Sequence, residues 1–134
     1  MYVRLMITLA VMAVAWAALT LMRRRQGILA NRASQGFNTA SNIPAIVYFW
    51  SEGCSVCKGT QKPILERILG EYGKERLTLT AYNIDEAPEV AKEWGVRTLP
   101  TTFLLDSAGT IRHANNGLVV PESLRKQLEQ MIIL

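Results

Sequence analysis

The sequence predicts an α/β domain, a central mixed β-sheet flanked by helices, preceded by one N-terminal transmembrane helix. An uncharged apolar run occupies residues 5–22. From residue 43 onward, strand-like and helix-like segments alternate in the order β-α-β-α-β-β-α, which is typical of a mixed sheet covered by helices. The chain also has only two cysteines, Cys54 and Cys57, which lie between the first predicted strand and the helix that follows it.

The apolar run, LMITLAVMAVAWAALTLM, carries no charged side chain. At about 1.5 Å per helical residue it nearly spans a hydrocarbon core of about 30 Å. A cleaved signal peptide is the alternative, because residues 13–15 and 15–17 fit the small-x-small rule for cleavage. The apolar run continues past both sites and stops at three consecutive arginines, residues 23–25, so we favour an uncleaved anchor over residues 1–25.

The net charge of +4 is distributed unevenly along the chain. The first 41 residues carry five arginines and no acidic residue, whereas the rest carries 10 basic and 11 acidic residues. Nucleic-acid binding would need a basic face on the folded domain, so the sequence predicts no nucleic-acid partner. The arginines that follow the apolar run predict a single-pass cell-membrane protein with its domain on the cytoplasmic side. The alternative is the extracytoplasmic or periplasmic side, where disulfides persist.

The chain after the anchor divides into a linker, residues 26–42, and a domain, residues 43–134. The linker is rich in Gly, Ser, Asn and Ala, with a possible short helix or strand fragment near its end. A continuous β-branched and aromatic run predicts a buried strand at residues 43–50. The helix expected at residues 54–72 should be kinked by Pro63. Further strands are expected at residues 77–84, 101–106 and 110–115, and further helices at residues 88–94 and from Pro121 onward.

The spacing of the two cysteines allows three interpretations: a structural crosslink, half of a metal site, or a redox centre. A crosslink across so small a loop restricts the unfolded chain very little. A closed zinc site needs about four ligands, and the chain offers one histidine, His113, and no second cysteine pair. A zinc site shared between chains stays possible, and the redox interpretation is favoured.

A set of spaced motifs between residues 43 and 134 resembles the thioredoxin family. The set comprises a buried strand ending in Phe49-Trp50, a Cys-x-x-Cys-Lys motif at the start of a helix, a proline six residues beyond Cys57, the segment YNIDEAPEVAKEWGV, and Leu99-Pro100-Thr101. The resemblance implies the thioredoxin fold and a redox-active disulfide between Cys54 and Cys57. It also implies that Pro100 is cis and faces this disulfide, and that Trp50, Leu99 and Gly117 lie at the substrate groove.

The chain departs from the family pattern at three places. The motif around the cysteines is Gly53-Cys54-Ser55-Val56-Cys57, whereas thioredoxins proper have Trp-Cys-Gly-Pro-Cys. The family's buried aspartate falls at Tyr48, and the lysine that pairs with it falls at Ala81. These departures predict a membrane-tethered protein with its own client rather than a general-purpose reductase.

The predicted mechanism is thiol–disulfide exchange. Cys54 would be the exposed nucleophile, because backbone N–H groups and the helix dipole at a helix N-terminus stabilise a thiolate. Cys57, one helical turn further on, would resolve the mixed disulfide. Pro100 has no backbone N–H, and the neighbouring backbone of Leu99 would be free to pair with an extended substrate.

We expect no cofactor beyond the Cys54–Cys57 disulfide, because the sequence has no phosphate-binding loop or nucleotide motif. The substrates would be protein disulfides or dithiols, and a protein partner would donate or accept the electrons. Lys58 and His113 are interpreted as a surface lysine and a half-exposed sheet residue. Two alternatives stay open: a thioredoxin-fold binding module, and a thiol-delivery protein for metal or cytochrome maturation.

Overall fold

A computed structural model describes residues 1–35 and 42–132. The long N-terminal helix α1 spans Tyr2–Gln35 and contains the whole predicted apolar run. It is followed by a domain whose elements occur in the predicted order, which confirms the predicted fold class. The strands are β1 (Ala45–Trp50), β2 (Thr78–Asn83), β3 (Thr101–Leu105) and β4 (Ile111–Asn116), and the helices are a π-helical turn (Cys57–Gln61), α2 (Lys62–Tyr72), α3 (Pro88–Glu93) and α4 (Pro121–Ile132).

The four strands form one mixed sheet in the order β2-β1-β3-β4. β1 pairs in parallel with β2 and antiparallel with β3, and β3 pairs antiparallel with β4. Five of the six residues of β1 are buried, as its continuous apolar sequence predicts for a strand covered on both faces. The Cys-x-x-Cys segment therefore follows a strand that has a neighbouring strand on each side and is buried on both faces.

Two apolar clusters cover the two faces of the sheet. On one face, Ile46 and Tyr48 pack with the apolar stripes of α2 and α4, which include Leu65 and Leu128. The other face packs against α3 and the end of α1, and this cluster includes Ala45, Val47, Phe49, Trp94, Phe103, Leu105 and Ala30. The domain thus has three layers, with α2 and α4 on one side and α1 and α3 on the other.

The kink predicted at Pro63 takes the form of a π-helical turn. Residues 55 and 56 are helical, and the π-helical turn Cys57–Gln61 then leads into α2. Pro63 lacks a backbone N–H, so the regular hydrogen bond to the carbonyl of Gly59 cannot form. One residue earlier, the N–H of Lys62 donates to the carbonyl of Cys57, five residues back.

Part of the predicted linker, residues 26–42, is helical. Residues 26–35 continue α1 without a break. The segment contains helix-favouring Leu, Ala and Arg residues, and Ala30 and Ser34 are buried where the helix packs on the domain. Residues 36–41, where a short helix or strand fragment was expected, and residues 133–134 lie outside the described residues.

Candidate active site

The two cysteines are joined by a disulfide at the end of β1. The S–S distance is 2.08 Å and the two Cα atoms are 5.3 Å apart. Three residues, 51–53, separate β1 from Cys54, and the N–H of Cys54 donates to the carbonyl of Ser51 at 3.2 Å. The structure is therefore that of the oxidised protein.

The two sulfur atoms of the pair have different surroundings. Cys54 is half-buried and directly precedes the first helical residue, whereas Cys57 is fully buried in the apolar cluster under α2 and α4. The N–H of Cys57 donates to Sγ of Cys54 at 3.2 Å, and the N–H of Lys58 donates to the Cys54 carbonyl at 3.3 Å. A backbone donor and a helix N-terminus thus face the sulfur that solvent can reach, and both favour a thiolate there.

Tyr48 lies beneath Cys57 in the middle of β1. Its side chain is 2% exposed, and its hydroxyl donates a hydrogen bond of 2.8 Å to the Cys57 carbonyl. Burial raises the pKa of Tyr48 to about 12, so the hydroxyl stays protonated at neutral pH. In β2, Ala81 lies opposite Tyr48 in the parallel register, and it carries no charge. Neither of these two residues therefore places a carboxylate or a cation beneath Cys57.

The loop before β3 and the loop after β4 meet at the same edge of the sheet. The Leu99–Pro100 peptide is cis, which is the isomer that the resemblance implies. The N–H of Gly117 donates to the Pro100 carbonyl at 2.8 Å, and Gly117 has φ +96°, a conformation that favours glycine. We call this side of the sheet the redox edge; it is formed by the end of β1, the start of β3 and the end of β4.

Three of the predicted site residues lie around one apolar cluster. Trp50, Cys54 and Leu99 are all partly buried, and all pack against the cluster that contains Cys57. Leu99 also contacts the cluster on the opposite face of the sheet, so it lies over the redox edge itself. The structure thus brings together the residues that the sequence assigned to the disulfide and its surroundings.

Gln61 is a site residue that the sequence analysis missed. It is the last residue of the π-helical turn and is completely buried. Its side-chain amide forms two hydrogen bonds with one residue: Oε1 accepts from the Val119 N–H at 2.8 Å, and Nε2 donates to the Val119 carbonyl at 3.3 Å. This pairing joins the Cys-x-x-Cys helix to the loop that follows Gly117. The spacing of Gln61 to Leu65 and Ile68, which lie on the core face of the helix, was the sequence feature that indicated its burial.

The charged groups near the disulfide are paired with one another at the surface. Nζ of Lys58 lies 3.0 Å from Oε2 of Glu52, and both side chains are largely exposed. The backbone N–H of Glu52 donates to Oδ2 of Asp85 at 3.1 Å. Lys58 is therefore a solvated lysine, as predicted, whose charge is partly balanced by a carboxylate. His113 is a half-exposed residue of β4. It lies opposite Leu104 in the β3–β4 register, away from the redox edge.

Comparison with known proteins identifies the same family over most of the chain. The thioredoxin family model matches residues 30–130. A thioredoxin of Acidithiobacillus ferridurans is 36% identical over 92 residues, which cover 69% of this chain and 82% of that protein. The chloroplastic M-type thioredoxin of Chlamydomonas reinhardtii is 39% identical over 64 residues, which cover 48% of this chain and 44% of that longer relative.

A solved structure agrees on the fold. Thioredoxin-2, described as a component of the protein secretion machinery of the malaria parasite, superimposes with a TM-score of 0.60 at 23% identity. The superposition covers 66% of this chain and 82% of that one. The chain therefore belongs to the thioredoxin family, as a redox protein whose disulfide joins Cys54 and Cys57.

Proposed function

We propose that this protein is a membrane-anchored thiol–disulfide oxidoreductase that acts on cysteine pairs of other proteins. The observation that carries the proposal is the asymmetry of its disulfide. Cys54 is half-exposed at the start of a helix, and Cys57 is buried behind it. An incoming protein thiol or disulfide can reach one sulfur of the pair, while the other is held for the second step.

In the reducing direction the proposed reaction begins with the dithiol form. The Cys54 thiolate attacks one sulfur of a substrate disulfide, which forms a Cys54–substrate disulfide and releases the other substrate sulfur as a thiolate that takes up a proton. Cys57 then attacks Sγ of Cys54, which forms the Cys54–Cys57 disulfide and releases the second substrate thiol. The substrate gains two electrons, and a reduced protein partner must return two electrons to this disulfide.

The residues around the disulfide have different parts in this reaction. The Cys57 N–H lies 3.2 Å from Sγ of Cys54 and stabilises negative charge on that sulfur. Tyr48 supports the Cys57 backbone, but with its pKa near 12 it does not accept a proton from the Cys57 thiol at neutral pH. We infer a slow resolving step, which suits a dedicated client that stays bound for longer.

The groove residues would bind the substrate chain. Leu99, Pro100 and Gly117 lie at the redox edge, and Trp50 packs beside Cys54 on the same cluster. An extended client segment would pair with the backbone of Leu99, as in recognition by strand addition. No cofactor beyond the disulfide and no nucleic-acid partner belongs to this proposal.

Helix α1 is the proposed membrane anchor. It is long and apolar enough to cross a membrane by length and composition, and its side chains before residue 30 that the structure describes are exposed. Arg23, Arg24 and Arg25 end the apolar part, which supports a single-pass protein with a cytoplasmic domain. A cytoplasmic site would be kept reduced and act as a reductant, whereas a domain on the other side would need electrons from across the membrane.

The proposed activity is tested with the full chain in detergent micelles. We expect reversible two-electron oxidation in a thiol redox titration and measurable reduction of insulin disulfides, both lost in Cys54→Ser. Cys57→Ser should accumulate a mixed disulfide with the client in cells, whereas Cys54→Ser should capture little. Capture by Cys54→Ser instead of Cys57→Ser would contradict the assignment of nucleophile and resolving thiol.

A binding module is the second candidate, and the neutral Tyr48 beneath Cys57 favours it. Reversible oxidation without any turnover of insulin or of the captured client would support this candidate. Stoichiometric metal uptake by the reduced protein would instead support thiol delivery in metal or cytochrome maturation.

A further inference from the structure

The π-helical turn after the disulfide is fixed at both of its ends. At its first residue, the Cys57 carbonyl accepts hydrogen bonds from the Tyr48 hydroxyl, at 2.8 Å, and from the N–H of Lys62. At its last residue, the buried side chain of Gln61 pairs with the N–H and the carbonyl of Val119. The turn that carries Cys57 is therefore joined to a residue 58 positions beyond Gln61 in the chain.

The segment that Gln61 holds also forms part of the proposed substrate groove. Residues 117–119 lie between β4 and α4, outside any helix or strand. At one end of this segment, the Gly117 N–H donates to the Pro100 carbonyl at 2.8 Å. At the other end, the main chain of Val119 pairs with Gln61, and its side chain is buried in the cluster under α2 and α4. The segment thus connects the loop of the cis proline with the helix of the two cysteines.

A glutamine at this position is not needed to fill space. Gln61 lies on the core face of its helix in line with Leu65 and Ile68, and all three are 0% exposed. An apolar side chain would fill the same volume, whereas a buried amide costs free energy unless its donor and its acceptor are both paired. The amide adds geometry, because its N–H and carbonyl groups match those of a single backbone residue. A fully paired buried group of this kind restricts the surrounding core to one arrangement.

From these contacts we propose that Gln61 is a positioning residue for protein substrates. By holding residues 117–119, it fixes the loop of Pro100 relative to the cysteine helix. The inference rests on the proposed function, because it needs both the redox activity and the substrate groove at the redox edge. It adds that one buried amide sets the distance between this groove and Sγ of Cys54.

This distance matters because a protein substrate binds at one place and reacts at another. A segment paired with the backbone of Leu99 must bring its disulfide to within about 3–3.5 Å of Sγ of Cys54 before that sulfur can attack. A displacement of about 1 Å can slow such a reaction by about 10²-fold. A small disulfide that touches only Cys54 does not use the groove. Loss of the Gln61 pairing should therefore slow the reduction of proteins and leave that of small disulfides nearly unchanged.

The proposal is tested in single turnovers of the full chain in detergent micelles, with the cysteine pair reduced beforehand and the reductant removed. In each turnover the dithiol becomes the Cys54–Cys57 disulfide, and the substrate disulfide gains two electrons and two protons. The substrates are insulin and dipyridyl disulfide, a small reagent without a peptide backbone. In Gln61→Leu we expect the rate constant for insulin to fall by about tenfold or more, and that for dipyridyl disulfide to change by less than about twofold.

Two further variants separate positioning from stability. Leu105→Ala is the matched control, because Leu105 is completely buried on the other face of the sheet, and its truncation leaves a cavity there without touching the Gln61 pairing. It should keep the wild-type ratio of the two rate constants under conditions where circular dichroism shows every variant to be folded. In Gln61→Met the unbranched side chain keeps nearly the length of glutamine and a weak acceptor, so a smaller loss confined to insulin is expected.

The possible failures are distinguishable. An equal fall of both rate constants in Gln61→Leu and Gln61→Met, or no fall of either, would overturn the positioning role and leave the redox activity in place. So would a loss confined to insulin in Leu105→Ala, because destabilisation alone would then explain the effect. A wild-type chain that reduces neither substrate would instead refute the proposed oxidoreductase activity.

Discussion

The hydroxyl of Tyr48 donates a hydrogen bond of 2.8 Å to the backbone carbonyl of Cys57. That carbonyl also accepts the N–H of Lys62, at the end of the π-helical turn. A neutral side chain in the central strand is thus tied to the backbone of the resolving cysteine, where the family pattern has a carboxylate. The site thus has a Cys54–Cys57 disulfide with a neutral tyrosine at the position of the family's buried aspartate.

Restoring the carboxylate and its partner should accelerate turnover. Tyr48→Asp combined with Ala81→Lys places opposite charges on two residues that lie side by side in the β1–β2 register. We expect insulin reduction to be severalfold faster than in the wild type, because general-base assistance typically contributes about 10²- to 10⁴-fold where it operates fully. The double variant should also gain a pH-dependent step that stopped-flow measurements between pH 5 and pH 8 would reveal.

Two single variants are the controls for this prediction. Tyr48→Phe removes the hydroxyl and should cost about 1 kcal/mol of the free energy of unfolding without changing the pH profile. Ala81→Lys alone should leave the rate as it is, since it adds no acceptor. Equal rates for the double variant and the wild type would show that proton transfer at this position does not limit turnover.

The fold follows from local patterns, and the contacts that complete the site do not. The buried run of β1, Pro63 inside a helix and the Cys-x-x-Cys spacing each act through neighbouring residues, and each was predicted. The spacing of Gln61 to Leu65 and Ile68 indicates that it faces the core, but no local pattern indicates that its amide pairs with Val119, 58 residues away. The continuation of α1 through residues 26–35 has no local signal for a similar reason. The Gly, Ser and Asn residues of this segment do not predict a helix, and the burial of Ala30 comes from its contact with the domain.

Loss of the Gln61 amide should weaken the domain and the loop beside the disulfide together. Gln61→Leu is similar in size, but it leaves the buried N–H and carbonyl of Val119 without their partners. Each unsatisfied buried group costs about 1–3 kcal/mol, so for the two groups we expect a loss of about 2–6 kcal/mol in the free energy of unfolding. Urea denaturation of the oxidised protein measures it, and exchange of the Val119 amide proton should accelerate. A loss no greater than that of the surface variant Gln130→Leu would argue against the pairing.

Removing the hydroxyl of Thr102 should stabilise the protein. Thr102 is fully buried opposite Tyr48 in the β1–β3 register, and within the described residues its Oγ1 has no hydrogen-bond partner. Valine has nearly the same shape and no polar atom, so Thr102→Val should raise the free energy of unfolding by about 1 kcal/mol. Thr101→Val is the matched control, because its hydroxyl donates to the Thr98 carbonyl, and it should be destabilising. A lower midpoint for Thr102→Val would show that its hydroxyl has a partner in solution.

His113 should make the domain less stable as the pH falls. Burial lowers the pKa of His113 below 6.5, and the positive charge of Arg112 lowers it further. The unfolded chain therefore binds this proton more readily than the folded one, so stability is present above about pH 6.5 and is lost as the pH falls toward the folded value. Urea denaturation at pH 7.5 and pH 5.5 should show this loss in the wild type and a smaller one in His113→Gln. Glu71→Gln is the control. Arg125 lowers the pKa of Glu71 from 4.5, so protonation of this carboxylate changes the free energy of unfolding only in more acidic solutions.

The side of the membrane should follow the arginines. Arg4 and the amino terminus precede the apolar run, whereas Arg23, Arg24, Arg25 and Arg32 follow it within the range that determines orientation. Basic residues are retained on the cytoplasmic side, so we expect a membrane-impermeant thiol reagent to label Cys54 only after lysis when intact cells are first treated with a mild reductant. Because Cys54 is half-exposed and Cys57 is buried, we expect the reagent to label the wild-type chain at Cys54. Efficient labelling of unlysed cells would place the domain outside the cytoplasm, and Cys54 would then depend on electrons that cross the membrane.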